Sequence, residues 1–278
     1  MGVYPPGYID RYVEAALQRG VTEIGFTEHF YRCVESIPIL GRWWDADPDR
    51  GLAAGFAEWI GSQRDLSLAR YVEVVLDAKA RGLPVKLGLE VDFVPGTEEA
   101  VADLLAGFPF DYLIGSIHWI GAWNFMRDSA VDEYARRGAR VAFEQYNALE
   151  SELAESGLVD ALAHADVIKR AGIRPEGGIR LHEPVVMAAA RSGIAVEVSS
   201  AGLRHAVGEI FPGPKFLSDL RAAAVPILLA SDAHVAADAA WGHDDVVTAA
   251  RAAGYTEYLR FADRVPTVTP LPAGATSA

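Results

Sequence analysis

Short apolar runs alternate with longer amphipathic stretches over most of the chain. Ile9, Val13, Ala16 and Leu17 recur at helical spacing and predict a helix that stops at Gly20. The run VTEIGF (21–26) follows it. The same order repeats with PVKLGLEVDF (84–93), FDYLIGSIHWI (110–120), LVDALAHAD (158–166), GIAVEVSS (193–200), VPILLASDAH (225–234) and YTEYLRF (255–261), each preceded by a helical pattern. These runs are too short for globular helices and read as interior strands. Strands that are apolar on both faces and alternate with helices predict an α/β domain built on a parallel sheet covered by helices. Gly82, Gly157 and Gly254 also fall where helices would end. Nothing divides the chain, so residues 1–278 read as one domain. The Trp- and Asp-rich stretch 41–65 reads as a long excursion of the lid type, and residues 264–278 as a frayed tail rich in Pro, Ala and Thr.

Composition narrows the function without naming it. With 51% hydrophobic and 23% charged residues the chain fits an ordinary soluble globular protein. A net charge of -13 argues against a nucleic-acid partner, which needs a basic face. It leaves an anionic small substrate open, because bound cations invert the local sign. The single cysteine, Cys33, allows no internal disulfide and suits a reducing cytoplasm. No basic start precedes an apolar segment, and no run approaches a membrane span, so neither a signal peptide nor a membrane partner is expected.

The chemistry gathers at the ends of the predicted strands. TEH places His29 there, GLEVD places Glu90 and Asp92, GSIH places His118, AHAD places His164 and Asp166, EVSSAGLRH places Glu197 and Arg204, and SDAH places Asp232 and His234. Four of the seven histidines thus sit at the C-terminal ends of four different strands. That rim is where parallel barrels build their sites. Imidazoles with carboxylates suit zinc, iron or manganese. The supply exceeds the roughly four ligands of one tetrahedral ion and points to a cluster of two or three divalent metals. A buried Glu90 needs a partner. Asp92 is open between ligand and loop cap, Asp166 between orienting a histidine and capping a helix, and Glu197 between chemistry and a salt bridge to Arg204. Cys33 reads as a packed thiol, and no phosphate-binding glycine loop or G-x-S-x-G is present.

GFTEH, LGLEVDFVPGTE, FDYLIGSIHWIGAW, AHADVIKR, EVSSAGLRH and SDAH, in this order, resemble the PHP (polymerase and histidinol phosphatase) superfamily, nearest its monofunctional histidinol-phosphate phosphatases. The resemblance runs from about Tyr8 to about Arg264. It implies a distorted (βα)7 barrel with up to three divalent metals at the C-terminal rim. It implies that Glu90 bridges two metals, that His118 and His164 complete one of them, that Asp232 joins Glu90 on another, and that His29 and His234 hold a third. Arg204 would grip the substrate phosphate, with Lys169 and Trp119 as further substrate contacts. Asp232 would assist the leaving alkoxide. The substrate would be L-histidinol phosphate, the setting histidine biosynthesis in the cytoplasm.

One departure qualifies the match. The family opens with a strand ending in H-x-H, and no histidine precedes His29 here. The resemblance therefore expects the first strand and its ligands to be missing from this sequence. A start assigned too late, a degenerate member keeping only Glu90, His118 and His164, or substitution by Asp45, Asp47 or Asp49 would each account for it. Two rival functions stay open: a phosphoesterase of the same family acting on another small phosphate ester, and an inactive metal-binding relic.

Overall fold

A computed structural model describes residues 4–127, 131–176 and 181–272. Its centre is a six-stranded, all-parallel sheet in the order β1-β2-β3-β6-β7-β8. These strands are β1 (Ile24–His29), β2 (Val85–Asp92), β3 (Tyr112–Ser116), β6 (Ala161–Leu162), β7 (Ala195–Ser199) and β8 (Ile227–Ala230). Helix α1 (Tyr8–Gln18) precedes β1; between the strands lie α2 (Ile37–Leu40), α3 (Arg50–Gln63), α4 (Leu68–Ala80), α5 (Glu98–Leu105), α6 (Asp132–Arg137), α7 (Ala139–Glu155), α8 (Glu183–Ser192) and α9 (Pro214–Ala222), and α10 (His243–Ala252) follows β8. Six of the seven predicted runs enter the sheet, and Gly20, Gly82, Gly157 and Gly254 all adopt positive φ at helix ends. The sheet curls into a half-barrel. β1 pairs only with β2 and β8 only with β7, so the two edge strands face each other across a gap. Helix α1 covers that gap from outside, burying Ile9, Tyr12, Val13 and Ala16 while Leu17 stays exposed.

The concave face is filled from below. Gly25 and Gly88 leave room for the Tyr112 ring, which lies across β1 and β2; a Cβ at either glycine would come within 2.7 Å of it. Phe261 stacks on Tyr112 with ring centroids 6.2 Å apart. It belongs to β9 (Glu257–Ala262), which pairs with β10 (Val265–Pro270) in an antiparallel ribbon rather than joining the parallel sheet. The expected fraying of 264–278 therefore does not hold for Val265–Pro270. Burying Phe261 and Leu271 offsets the entropy of ordering the ribbon, at about 1.5–3 kcal/mol per side chain. Pro266 and Pro270, an even number of residues apart, turn their nitrogens to one edge, where no ladder donor is required. Residues 273–278 of the expected tail lie outside the described residues.

The excursion 41–65 is also more ordered than its composition predicts. A short 3-10 turn at Trp43–Ala46 leads into α3, whose N-cap Asp49 accepts from Leu52 N. Trp43, Trp44, Phe56 and Trp59 pack into an aromatic cluster with Tyr31 and Trp119. Trp119 opens a second small ribbon, β4 (Trp119–Ile120) with β5 (Trp123–Asn124). Among the described residues no helix is long and apolar enough to cross a membrane.

Candidate metal centre

Register decides which side chains meet. In the β1–β2 pairing His29 stands opposite Glu90, and in the β2–β3 pairing Asp92 stands opposite Ser116. Residues two apart on a strand share a face, so Glu90 and Asp92 both point into the half-barrel. His118 lies just beyond β3, and His164 just beyond β6 with a strained φ of 29°. That conformation, which ends β6 after two residues, is held by the Glu197 carboxylate, which accepts from His164 N at 3.1 Å.

The result is a compact buried cluster. Glu90 Oε1, His118 Nε2 and His164 Nε2 form a triangle with all three sides 3.4 Å. Such spacing is what three ligands about 2.0–2.2 Å from one zinc-like ion would adopt. Glu90 Oε1 is buried and, among the described residues, has no partner but those two imidazoles, an arrangement that costs free energy unless a cation balances it. Behind the triangle, Asp92 serves two imidazoles at once. Its Oδ1 lies 2.7 Å from His118 Nδ1 and 3.1 Å from His29 Nδ1, while Oδ2 accepts from Tyr31 N at 3.1 Å. A carboxylate on Nδ1 fixes a histidine with Nε2 free to bind metal. His29, Glu90, Asp92 and His118 all offer ligand atoms within 4.8 Å of one another. The donor set fits zinc, iron or manganese better than calcium.

The electrostatics agree. Burial disfavours the His29 imidazolium, but Glu90 and Asp92 outweigh it and raise its pKa to about 10. For His164 burial is likewise outweighed, here mainly by Glu90, and the pKa rises to about 9. Burial would raise Glu90, yet the three surrounding histidines hold it well below the usual carboxylate range. The cluster is therefore built to balance positive charge, which protons supply until a metal displaces them.

The other flank is looser. A cavity of about 290 Å³ runs along the facing edges of β1 and β8 and is lined by His29, Glu90, His164, Glu197, Asp232 and His234. Asp232 is in a left-handed turn (φ 48°) after β8, so strand alternation does not relate it to His234. The pair still comes together, with His234 Nδ1 3.5 Å from Asp232 Oδ1. The His234 and His29 rings are 6.1 Å apart. Tyr12 on α1 donates to His234 O at 3.0 Å and ties this turn to the helix.

Three expected substrate contacts are placed differently. Lys169 is buried, and its ammonium is taken by Asp166 at 2.6 Å, Glu209 at 3.4 Å and the Ile210 carbonyl at 3.2 Å; it does not reach the cavity. Trp119 is packed edge-on against His118 inside the aromatic cluster and is also absent from the cavity lining. Arg204 donates from Nη2 to the carbonyls of Ser231 and Asp232 at 2.7 and 2.8 Å and lies over Trp241, which makes it a brace for the Asp232 turn. Its Nη1 is buried without a partner. Nor do the loop acids substitute as ligands. Asp45 pairs with Arg42, Asp47 accepts from Ala122 N, and Asp49 caps α3 and pairs with Arg136. Sequence reasoning left Asp92 undecided because its double role depends on the β1–β2 register, which the sequence does not display.

A half-barrel of parallel strands with imidazoles and carboxylates gathered at its C-terminal rim defines a metal-centred barrel protein. The PHP domain model matches residues 7–201, and the chain belongs to that family. It is 35% identical over 244 residues to the "Probable histidinol-phosphatase" of Deinococcus radiodurans, covering 87% of this chain and 86% of that protein. In three dimensions it resembles a histidinol phosphate phosphatase from Lactococcus lactis subsp. lactis Il1403 solved with zinc, L-histidinol and phosphate. The TM-score is 0.71 at 19% identity, covering 93% and 92% of the two chains. A chain from Listeria monocytogenes matches with a TM-score of 0.69 at 16% identity, covering 85% and 93%. At these identities the structural likeness speaks for the fold.

Proposed function

We propose that the chain is a metal-dependent phosphomonoesterase that hydrolyses L-histidinol phosphate to L-histidinol and phosphate, a step of histidine biosynthesis in the cytoplasm. The observation that carries the metal dependence is the 3.4 Å triangle of Glu90 Oε1, His118 Nε2 and His164 Nε2 around a buried carboxylate oxygen with no other partner. The substrate assignment rests on the relationship to the Deinococcus radiodurans protein.

Glu90, His118 and His164 would hold one ion, and His29, Asp232 and His234 would supply ligands to further ions in the adjoining cavity. Bound divalent metal supplies Lewis acidity toward the phosphoryl oxygens and lowers the pKa of the attacking water. The chain's own residues do the rest. Asp92 keeps His29 and His118 oriented. Arg204 fixes the turn that aims Asp232 at the cavity. Asp232, partly solvent-accessible and beside His234, would take the proton lost by the attacking water and pass it to the departing alkoxide. The bond broken is the phosphorus–alkoxide bond, and water supplies the oxygen that phosphate gains.

The test is phosphate release from L-histidinol phosphate and from a panel of other small phosphate esters, with zinc or manganese added to chelator-treated protein. Metal-dependent release with a strong preference for histidinol phosphate supports the assignment. Release from other esters alone would replace the substrate. No release, with about one ion or none bound per chain, would leave the relic reading in its place.

A further inference from the structure

His118 and His29 hand their Nδ1 atoms to Asp92, but His164 does not share that carboxylate. Its Nδ1 is buried and makes no direct hydrogen bond in the protein. If Nε2 binds a metal as a neutral imidazole, Nδ1 carries the proton and needs an acceptor. Two buried carboxylate oxygens in the same region are also without a hydrogen-bond partner, Glu150 Oε2 and Asp166 Oδ1.

Glu150 is poorly explained as a packing residue. It is fully buried on the inner face of α7, which packs against β6. Tyr146, one turn earlier, donates to Glu150 Oε1 at 2.5 Å, and the Tyr146 hydroxyl lies against the Val167 amide. That amide belongs to the turn leaving His164, where Val167 N donates to His164 O at 2.8 Å. His164 and Asp166 are the groups whose charges act on the Glu150 carboxyl beyond its Tyr146 bond. Asp166 is otherwise engaged, since its Oδ2 takes Lys169 and Gly213 N. Glu150 Oε2 is therefore a buried acceptor without a hydrogen-bond partner, in the same region as a buried donor without one.

We propose that Glu150 is the positioning residue of His164: it receives the Nδ1–H of His164 through one buried water shared with Asp166, and Tyr146 locks the carboxyl in place. One donor and two acceptors, each buried without a hydrogen-bond partner, suit such a water. The two halves of the ligand triangle are then oriented from opposite sides, His118 by Asp92 on β2 and His164 by Glu150 on α7. The role rests on the reading of His164 as a metal ligand.

The experiment compares wild type, Glu150→Gln and Glu150→Asp by long-range proton–nitrogen correlation of ¹⁵N-histidine-labelled protein, zinc-free and zinc-loaded, together with zinc affinity by chelator competition. In the zinc-free state Glu150→Gln is expected to shift the His164 Nδ1 signal, and Glu150→Asp to shift it less. Zinc affinity should fall roughly 10- to 100-fold in Glu150→Gln, with partial recovery in Glu150→Asp. Thermal unfolding of the zinc-free proteins separates this from a purely structural role, which would lower the midpoint and leave the affinity of the folded protein unchanged. An unchanged His164 Nδ1 signal in Glu150→Gln overturns the proposal. If wild type binds no zinc, the metal reading fails by itself, and the zinc-free spectra still decide the Glu150 contact.

Discussion

The β2–β3–β6 wall and the β1/β8 flank carry the same residue types but are built differently. On the wall, Asp92 is wholly buried, Glu90 and His118 nearly so, and the Nδ1 of His118 is set by Asp92 on the neighbouring strand. On the flank, His234 is 71% exposed and Asp232 sits in a turn that Arg204, Tyr12 and the Ser231 hydroxyl restrain. The wall is preorganised, so a ligand entering it displaces protons without moving side chains. The flank borders the gap between two unpaired sheet edges, and its ligands retain conformational freedom that metal binding must remove. One centre thus combines a tight site with a loose one.

The largest expected effect comes from breaking the wall at its shared residue. Glu90→Gln keeps the shape but removes the charge that three histidines face. Breaking a buried, multiply paired charge costs about 3–5 kcal/mol, on the order of 10²- to 10⁴-fold if carried into metal affinity. Metal analysis after dialysis and phosphate release should fall together. Retention of wild-type metal content would mean that the triangle is not the binding site.

Lys169→Met tests whether the wall's stability can be separated from its chemistry. The ammonium is enclosed by Asp166 and Glu209; its loss leaves Asp166 without a cationic partner, while Glu209 keeps Arg174, and should destabilise the fold by about 3–5 kcal/mol in denaturant unfolding. The KM for histidinol phosphate should stay near wild type at temperatures where the variant is folded. A raised KM with unchanged stability would restore Lys169 as a substrate contact.

Next comes Asp92→Asn. The amide still accepts through its oxygen but cannot serve both His29 and His118 with charge. Metal affinity should drop roughly 10- to 100-fold with the number of ions bound at saturation unchanged. A loss of stoichiometry instead would make Asp92 a ligand in its own right.

The same contrast explains what the sequence revealed. Strand ends were legible because apolar runs stop where polar chemistry begins, and Glu90, His118 and His164 could be picked out on that basis. Which of them touch was not legible, since the β1–β2 register and the left-handed turns at His164 and Asp232 are set by tertiary contacts. The resemblance implies a substrate contact for Lys169; its enclosure by Asp166, Glu209 and Ile210 depends on the turn after His164 and on partners some forty positions away in the chain. The 3-10 turn and helix of 41–65 and the β9–β10 ribbon were hidden by compositions that usually mark loops. Their order comes from aromatic packing in one case and from Phe261 filling the floor of the half-barrel in the other.

The smallest effect on the folded protein is expected at the flank. His234→Ala removes a mostly exposed side chain whose ring makes no strong internal hydrogen bond, so unfolding should shift by no more than about 0.5 kcal/mol. If the flank holds its own ion, saturating metal content should fall while the affinity of the tightest ion is unchanged, and kcat should fall more than KM rises. If His234→Ala instead weakens the tightest ion, wall and flank are one coupled site, and the distinction between a preorganised and a loose half would have to be abandoned.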